Sequence, residues 1–458
     1  MTFEDKSKIY QRLRVDFPVF IYEGFSINMN SEGLSGTFRF NLSDKYLFEP
    51  GFSIPKKHFL DFNISLEEVE NLVFHIGMGE LVSYWKAACS PQVIIKPAFL
   101  NEVQIAWWKN LYFHGLGEFF YTNGITPDFE TFMNISANSD RHFQRFSFDK
   151  NEQILVPVGG GKDSVVTLET LVKNKRPVRP LIMNPRGASI ETAGVAGFPE
   201  SEILTINRSI HPQLIGLNKQ GFLNGHTPFS ALLAFSSLLA GRLANSGIIA
   251  LSNESSANEA TVPGTTINHQ YSKSLAFEKD FREYVSRFIS DDFDYFSFLR
   301  PIGELQIAKI FSKSPEYFPV FRSCNAGSKT NVWCGSCAKC LFTFIILTPF
   351  IGIGKTTEIF GKNLLDDISL KPLFDELTGK TAEKPFECVR TVEEVNDAQA
   401  EIPKNLGNTE LPALLQYFVT LPEFEFYKKF DINNLLNEFD KQHFLSADFE
   451  KLIRKAIL

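Results

Sequence analysis

Residues 154–164 read ILVPVGGGKDS, an apolar run followed by three glycines and a polar triplet. The run has the composition of a buried strand, and residues 165–172 have that of a helix. Consecutive glycines allow positive φ values and turn several backbone N–H groups toward one point, where the start of a helix adds partial positive charge. Strand, glycine turn and helix therefore predict a loop that binds the phosphates of a nucleotide.

The loop consists of six residues: Gly159, Gly160, Gly161, Lys162, Asp163 and Ser164. Asp163 supplies a carboxylate suited to hold Mg²⁺ against the phosphates, and Ser164 supplies a hydroxyl donor. A bare glycine turn would explain the glycines but not the polar triplet after them. Another segment, residues 352–356 (GIGKT), imitates a Walker A loop but lacks its spacing, because Pro349 stands where the first glycine belongs.

The pattern of strand and helix recurs after this loop. Apolar runs at residues 180–184, 203–206 and 248–252 predict further strands, and residues 230–245 predict a helix. Such a succession is typical of an α/β fold with a doubly wound parallel sheet, in which ligands bind at the carboxyl ends of the strands. Gly159, Asn184 and Asn253 are expected at those ends.

The length of 458 residues predicts two or three packed units. Residues 1–150 show no recognisable chemistry and are interpreted as an accessory domain, for which substrate recognition is one hypothesis. Residues 151–348 form the predicted nucleotide-binding catalytic domain. Residues 349–458 are interpreted as a helical C-terminal extension, in which residues 393–401 are expected to be exposed.

Composition limits the classes of protein that fit. The chain has 46 basic and 53 acidic residues, a net charge of −7 and no long basic run, which argues against binding to large nucleic acids. The most apolar stretch, residues 340–353, is shorter than the ~20 residues that span a bilayer and predicts a buried helix. No secretion signal is recognisable at residues 1–8. We expect a cytoplasmic enzyme without nucleic-acid or membrane partners, of undetermined oligomeric state.

Four of the six cysteines lie close together in the sequence. Cys324, Cys334, Cys337 and Cys340 have the spacing C-x9-C-x2-C-x2-C, which favours metal ligation over disulfides. Tetrahedral Zn²⁺ is the expected metal, in a closed structural site that holds a loop with little core of its own. An iron–sulfur cluster and a set of reduced thiols without metal are the alternatives.

Polar residues at predicted strand ends and helix starts are the candidates for proton transfer. Glu254 follows the strand at 248–252, and His269 and Lys273 precede a helix, so we expect them to face the nucleotide. His269 can exchange protons near neutral pH, and Lys273 can stabilise an oxyanion or act as a base when desolvated. Residues 224–226 (NGH) are a similar candidate, with a helix cap as the alternative. Solvated loops are the alternative for the others.

The glycine loop resembles that of the ATP pyrophosphatase (PP-loop) superfamily, Ser-Gly-Gly-x-Asp-Ser, with Gly159 in place of the leading serine. With other segments in the same order it resembles a narrower family, the UDP-N-acetyl-α-D-muramoyl-L-alanyl-L-glutamate epimerases. The similarity covers most of residues 153–390 and is loose at 83–87 and 115–124. The segments that carry it are 159–164, 224–226, 253–254, 268–274, 296–304, 321–325, the cysteine block, 361–367 and 384–388.

The resemblance implies inversion of the terminal L-glutamate of a peptidoglycan precursor to D-glutamate, consuming ATP with Mg²⁺ and releasing AMP and pyrophosphate. A free carboxylate resists loss of its α-proton, and adenylation removes that obstacle. His269 with Lys273 or Glu254 would carry the two protons, with neither face assigned.

Three other functions use similar parts. A zinc-bearing ligase resembling the 7-cyano-7-deazaguanine synthases would leave stereocentres untouched. A non-catalytic AMP-binding sensor would bind nucleotide without releasing pyrophosphate. A thiolating RNA enzyme is disfavoured by the acidic balance of the chain.

Overall fold

A computed structural model describes residues 6–59, 64–258, 267–324, 326–327, 330–381, 385, 392–407, 410–429 and 431–458. By its internal contacts the chain divides into two compact units. Unit 1 comprises residues 1–155, 204–249 and 267–295, and unit 2 comprises residues 156–203, 250–266 and 296–458. Asn325 and most of the segment 384–388, which carry part of the family resemblance, lie outside the described residues.

The described strands belong to one 11-stranded sheet in the order β11-β10-β7-β8-β9-β4-β2-β1-β5-β6, with β3 paired to β2. The four strands and the helix predicted from the sequence are confirmed to within a few residues, as β7 to β10 and α8. The strands are β1 Val19–Met29, β2 Gly33–Leu42, β3 Tyr46–Phe48, β4 Gly51–Pro55, β5 Gln92–Ile95, β6 Asn134–Ala137, β7 Asn151–Pro157, β8 Val178–Met183, β9 Leu204–Ser209, β10 Ser246–Leu251 and β11 Asp294–Ser297.

The α/β class is confirmed, but the sheet is mixed and mostly parallel rather than parallel throughout as predicted. Strand β2 is antiparallel to β1, β3 and β4, and β4 is antiparallel to β9, whereas β1–β5, β5–β6 and β7–β10 are parallel pairs. The turns that follow β1 and β2 are too short for the crossover that parallel neighbours need. At the first turn, the side-chain oxygen of Asn30 accepts from the backbone N–H of Glu32 at 2.8 Å.

Helices occupy most of the connections between the strands after β4 and most of the described chain after β11, so the predicted helical C-terminal region is confirmed. The helices are α1 Lys6–Asp16, α2 Leu66–Trp85, α3 Glu102–Gly115, α4 Gly117–Thr122, α5 Lys162–Lys173, α6 Gly187–Val195, α7 Pro212–Lys219, α8 Phe229–Leu243, α9 Leu275–Phe288, α10 Glu304–Ser312, α11 Ala338–Phe360, α12 Lys371–Leu377, α13 Val392–Leu406, α14 Ala413–Val419, α15 Phe424–Tyr427, α16 Ile432–Leu435 and α17 Ala447–Ile457.

A buried tyrosine, Tyr284 of α9, joins the helices of unit 1. Its hydroxyl accepts a hydrogen bond of 3.0 Å from Nε1 of Trp108 and lies 3.0 Å from Nε2 of His75 on α2. Nδ1 of His75 lies 2.8 Å from the backbone oxygen of Asn71. A carbonyl can only accept, so Nδ1 carries the proton and Nε2 accepts from the tyrosine. Neutral His75 is therefore built into the core.

Helix α11 is the apolar segment that the sequence predicted to be a buried helix. It is long and apolar enough to cross a membrane by length and composition, but 56% of its most apolar window is buried inside the structure. The helix packs in unit 2 against α10 and α13, and its first half is buried. The helix bends at Gly352, where φ is 78° and ψ is 156°, after Pro349. The GIGKT segment thus lies in a helix and not in a strand-to-helix loop.

The acidic segment at 393–401 is mostly buried, so its predicted exposure is wrong. It lies in α13, which packs on α11 and buries the side chains of residues 394–400. Burial, and then the charge of Glu393, raises the pKa of Asp397 to about 7. The many charged residues of this segment predicted exposure, although α13 packs against α11 and is buried there.

Candidate active site

Gly160 turns the chain between β7 and α5 in unit 2. It has a φ of 86°, and a Cβ there would lie 2.6 Å from the backbone carbon of Ala188, so only glycine fits. Its carbonyl accepts a hydrogen bond of 2.8 Å from the backbone N–H of Arg322. The N-cap of α5 is Gly161, so no side chain caps the first turn of that helix. The predicted phosphate loop therefore leads into a helix start without a side-chain cap, an arrangement that is typical of anion-binding loops.

Lys162, the first residue of α5, is almost fully buried, with 5% of its surface exposed. Its Nζ lies 2.6 Å from Oδ1 of Asp163 and forms an ion pair with Glu304, the first residue of α10. Burial lowers the pKa of the lysine, but the negative charges and hydrogen bonds of Asp163 and Glu304 raise it by more. The net pKa therefore lies above the usual value, and the ammonium stays charged. One ammonium between two carboxylates leaves a net negative charge, which suits a divalent cation.

Asp163 and Ser164 occupy different surroundings in the first turn of α5. Asp163 exposes 29% of its side chain. The hydroxyl of Ser164 donates to the carbonyl of Gly161 at 2.9 Å, and the residue is only 7% exposed. Ser164 thus holds the backbone of its own loop, and a bond from this hydroxyl to phosphate would require a change of rotamer.

Asn184 directly follows β8, and Asn253 comes shortly after the end of β10, as predicted. Asn184 has a left-handed backbone with a φ of 52°, which favours asparagine among residues with a side chain. Nδ2 of Asn253 donates to Oγ of Ser297 at 3.0 Å. The same oxygen accepts from Nη2 of the fully buried Arg300 at 3.2 Å. Arg300 therefore joins the ends of β10 and β11.

Glu254 is fully buried and holds a turn. Its two carboxylate oxygens accept from the backbone N–H of Ser256 at 2.7 Å and from the hydroxyl of the same residue at 3.1 Å. Nη1 of Arg300 donates to its backbone carbonyl at 2.7 Å. Both carboxylate oxygens stabilise the turn at residues 255–258, which favours a positioning role over proton transfer.

His269 and Lys273 lie in unit 1, at the entrance to α9. His269 is 8% exposed, and its ring centroid is 6.3 Å from that of His226. Nδ1 of His226 lies 3.3 Å from a carboxylate oxygen of Glu118. Lys273 closes a 3₁₀ turn, and its backbone N–H donates to Gln270 at 2.6 Å. The structure thus places His226 of the NGH segment beside His269, with the carboxylate of Glu118 next to His226.

A lysine that the sequence did not single out, Lys86, lies beside the NGH segment. It is 7% exposed, and its Nζ donates to the backbone carbonyl of Gly225. Burial, and then the positive charge of Arg208, lowers the pKa of Lys86 to about 8, against the opposing effects of Cys89, Glu118 and Glu80. An amine with that pKa can donate or accept a proton near neutral pH.

The four predicted cysteine ligands come together in unit 2. Their sulfur atoms all lie within 4.8 Å of one another, with Sγ of Cys324 3.9 Å from Cys337 and Sγ of Cys334 3.6 Å from Cys340. A tetrahedral zinc with Zn–S bonds of about 2.3 Å separates its sulfurs by about 3.8 Å, so the set fits zinc. The hydrogen bond from Cys340 is the main effect that lowers the pKa of Cys337 to about 5, which favours a thiolate there.

Two of the residues described above, Glu304 and Lys86, gave no separate signal in the sequence. Glu304 opens a helix after β11, but nothing in the order of residues showed that its carboxylate meets Lys162. Lys86 follows the last residue of α2, and its burial could not be read from a charged side chain. Both residues lie in segments of the family resemblance, 296–304 and 83–87, but only packing reveals their partners.

Comparisons with known proteins give matches over most of the chain. Residues 11–298 match the MurL N-terminal domain family and residues 320–424 match the MurL C-terminal domain family. A protein of Xanthomonas oryzae pv. oryzae named UDP-N-acetyl-alpha-D-muramoyl-L-alanyl-L-glutamate epimerase is 36% identical over 72% of this chain and 73% of its own length. Proteins of that name from a Micromonospora species and from Salinispora tropica are 35% and 34% identical, over 70% and 77% of this chain and 72% and 77% of theirs. No solved structure matches the chain.

Proposed function

The chain belongs to the MurL family of UDP-N-acetyl-α-D-muramoyl-L-alanyl-L-glutamate epimerases, and from that premise we propose that it inverts the terminal L-glutamate of this nucleotide-sugar dipeptide to D-glutamate. The product would serve peptidoglycan synthesis in the cytoplasm. The names of the three relatives favour this activity over the ligase and the AMP sensor.

The observation that carries an ATP-dependent mechanism is the glycine loop with Lys162 buried at the start of α5. The loop presents backbone N–H groups at a helix start that no side chain caps, where an anion is stabilised. The paired charges of Lys162, Asp163 and Glu304 fix the geometry of the first turn. We assign to this loop the β- and γ-phosphates of ATP, which leave together as pyrophosphate.

Activation of the carboxylate explains why an epimerase would use ATP. A negative charge next to the α-carbon opposes formation of a carbanion. In the proposed reaction an oxygen of the glutamyl α-carboxylate attacks the α-phosphorus of ATP, the bond to the β-phosphate oxygen breaks, and an acyl-adenylate and pyrophosphate form. The α-proton then leaves to one group, another group returns a proton on the opposite face, and water cleaves the adenylate to give the free carboxylate and AMP.

The residues present fit two metal ions with different tasks. Asp163, partly exposed beside the loop, would hold Mg²⁺, which neutralises phosphate charge when bound. Cys324, Cys334, Cys337 and Cys340 would hold a structural Zn²⁺, since their four sulfurs lie within 4.8 Å of one another and two of the pairs, at 3.9 and 3.6 Å, are close to tetrahedral spacing. Asn184 and Asn253 are proposed as further nucleotide contacts from the ends of their strands.

Among the proton carriers we place His269 first. It is buried against His226, and an imidazole can serve as base or acid near neutral pH. Lys273 and Lys86 are the candidates for the second carrier, and the position of Lys86 beside the NGH segment favours it. Glu254 stays a candidate, although both of its oxygens already accept from Ser256.

The deciding experiment follows deuterium into the product. The pure protein is incubated with UDP-N-acetylmuramoyl-L-Ala-L-Glu, ATP and Mg²⁺ in deuterated water. The product is then hydrolysed to release its glutamate, and the two enantiomers are separated. D-Glutamate that carries deuterium, formed with AMP and pyrophosphate, supports the proposal. D-Glutamate formed without ATP would overturn the activation step, and absence of both exchange and D-glutamate would overturn the epimerase activity.

A further inference from the structure

The segment that carries the first cysteine ligand forms one wall of the glycine loop. The backbone N–H of Arg322 donates to the carbonyl of Gly160 at 2.8 Å. A Cβ on Gly161 would lie 3.3 Å from the Cβ of Ser323, a tight contact. Cys324 follows directly, so the residue that would bind the metal is adjacent in the chain to the residues that contact the loop.

A second contact reaches the loop through α6. Asn331 lies between two of the cysteines, and its side chain occupies the space where Gly187 has no Cβ, since a Cβ there would lie 2.6 Å from the carboxamide. Its Nδ2 also donates to Glu191 at 3.0 Å. The next residue of α6 is Ala188, whose backbone carbon would lie 2.6 Å from a Cβ on Gly160. The cysteine-bearing segment therefore supports the loop both directly and through the start of α6.

The four sulfurs connect this segment to a buried helix of unit 2. Cys337 is the N-cap of α11 and Cys340 lies in its first turn, and the first half of α11 is buried. Sγ of Cys324 accepts from the backbone N–H of Gly327 at 3.2 Å and lies 3.9 Å from Sγ of Cys337. Thiols at that distance attract each other weakly, whereas two bonds to one metal would fix Cys324 to the helix.

Aromatic packing gives the segment a second attachment that does not need a metal. The ring of Trp333 lies 4.4 Å from that of Phe360 and 5.2 Å from that of Phe321, measured between centroids. This packing fixes Trp333, which precedes Cys334, and Phe321, which precedes Arg322. It leaves the position of Cys324 itself to the sulfur cluster, so removal of the metal should loosen the wall of the loop without unfolding unit 2.

We infer that the four-cysteine cluster positions the glycine loop, so that metal binding by the cysteines and phosphate binding by the loop are coupled. The inference rests on the proposed binding of ATP at this loop and assigns the cluster a task in addition to structural support. Coupling between two ligand sites changes each affinity by the same factor, commonly between about 5-fold and 150-fold. We expect a factor of about ten here, because Trp333 retains part of the wall without metal.

The coupling is measured by binding, independently of turnover. ATP with Mg²⁺, and inorganic pyrophosphate with Mg²⁺, are titrated by calorimetry into the full chain loaded with Zn²⁺ and into the chain stripped by a chelator. The stripped chain should bind both about tenfold more weakly, with its far-ultraviolet circular dichroism retained. The affinity for Zn²⁺, measured against a competing chelator, should rise by the same factor when ATP is present.

One substitution separates coupling from metal loss. Asn331→Gly leaves all four cysteines, tolerates the left-handed φ of 55° at this position and removes the contact with Gly187 and Glu191, so it should keep one Zn²⁺ per chain while reducing the coupling factor. Asn434→Ala, at an exposed position of α16, is the control and should keep the full factor. Equal ATP affinities with and without Zn²⁺ would overturn the inference and leave ATP activation standing. Absence of ATP binding in both states would overturn both.

Discussion

Lys162 and Glu304 form an ion pair in which only 6% and 1% of the two side-chain surfaces are exposed. The pair joins the first residue of α5 to the first residue of α10 within unit 2. Removing one partner of a buried pair leaves an uncompensated charge, which costs more than the pair contributes as a whole.

Glu304→Gln should lower the free energy of unfolding by about 3 kcal/mol and weaken ATP binding, because the lysine that remains is buried with one carboxylate instead of two. Combining it with Lys162→Met should be milder than the sum of the single changes, since no unpaired lysine is left. Denaturant unfolding and calorimetry measure both effects. Glu358→Gln, which breaks the exposed pair with Lys355, is the control and should change stability by less than about 0.5 kcal/mol.

Gly160→Ala should destabilise the protein by about 1–3 kcal/mol and abolish ATP binding, since the residue has a left-handed φ and its new Cβ would lie 2.6 Å from Ala188. Gly159→Ala provides a matched control in the same loop. A Cβ at Gly159 meets nothing within 4 Å, so the fold should tolerate it. Equal melting temperatures for the two variants would contradict the geometry of the turn.

His269→Ala should abolish exchange of the glutamate α-proton with solvent while pyrophosphate release continues, because only the proton-transfer step loses its carrier. Mass spectrometry of glutamate formed in deuterated water measures the exchange, and a coupled assay measures pyrophosphate. His142→Ala, at an exposed position, serves as the control. Exchange at the normal rate in His269→Ala would remove this residue from the mechanism.

Lys86 should make epimerisation depend on pH near its pKa of about 8. If its neutral amine accepts the proton, the rate should rise as the pH approaches 8 and then level off. Lys86→Arg keeps a positive charge that does not dissociate, so it should remove this limb together with most of the activity. Lys96→Arg, at a lysine with 44% of its side chain exposed, should retain the profile. A limb that persists in Lys86→Arg would assign it to another group.

His75 should make the stability of the protein depend on pH. Burial, opposed by its bond to Asn71, lowers the pKa of His75 from 6.5 to about 4. Between those values the unfolded chain binds more protons, so this contribution is fully present above pH 6.5 and is lost as the pH falls toward 4. The loss amounts to about 3 kcal/mol.

His75→Gln should flatten that part of the curve in denaturant unfolding at a series of pH values. His142→Gln should keep the slope of the wild type, because His142 is exposed. An unchanged slope in His75→Gln would show that other groups cause the loss of stability in acid.

Much of the site could be predicted from the order of residues because its signals are local. Three glycines and a polar triplet between an apolar run and a helix predict a phosphate loop from neighbouring residues alone, and β7, the turn at Gly160 and α5 are formed as expected. The four cysteines within 17 positions likewise indicated a cluster, and their sulfurs meet. The assignment to the family followed from such segments and is confirmed by the relatives. The roles of His269, Lys273 and Glu254 stay predictions.

The sequence alone determined the α/β class, the strands β7 to β10, the glycine turn between β7 and α5 and the grouping of four cysteines, since each depends on neighbours in the chain. Tertiary structure alone decided the antiparallel pairing of β2 and β4, the burial of α13 and the partners of Lys162 and Lys86. Those features depend on which distant segments meet. A residue's neighbours in the chain do not specify that choice, because it follows from how whole faces of helices and strands exclude water together.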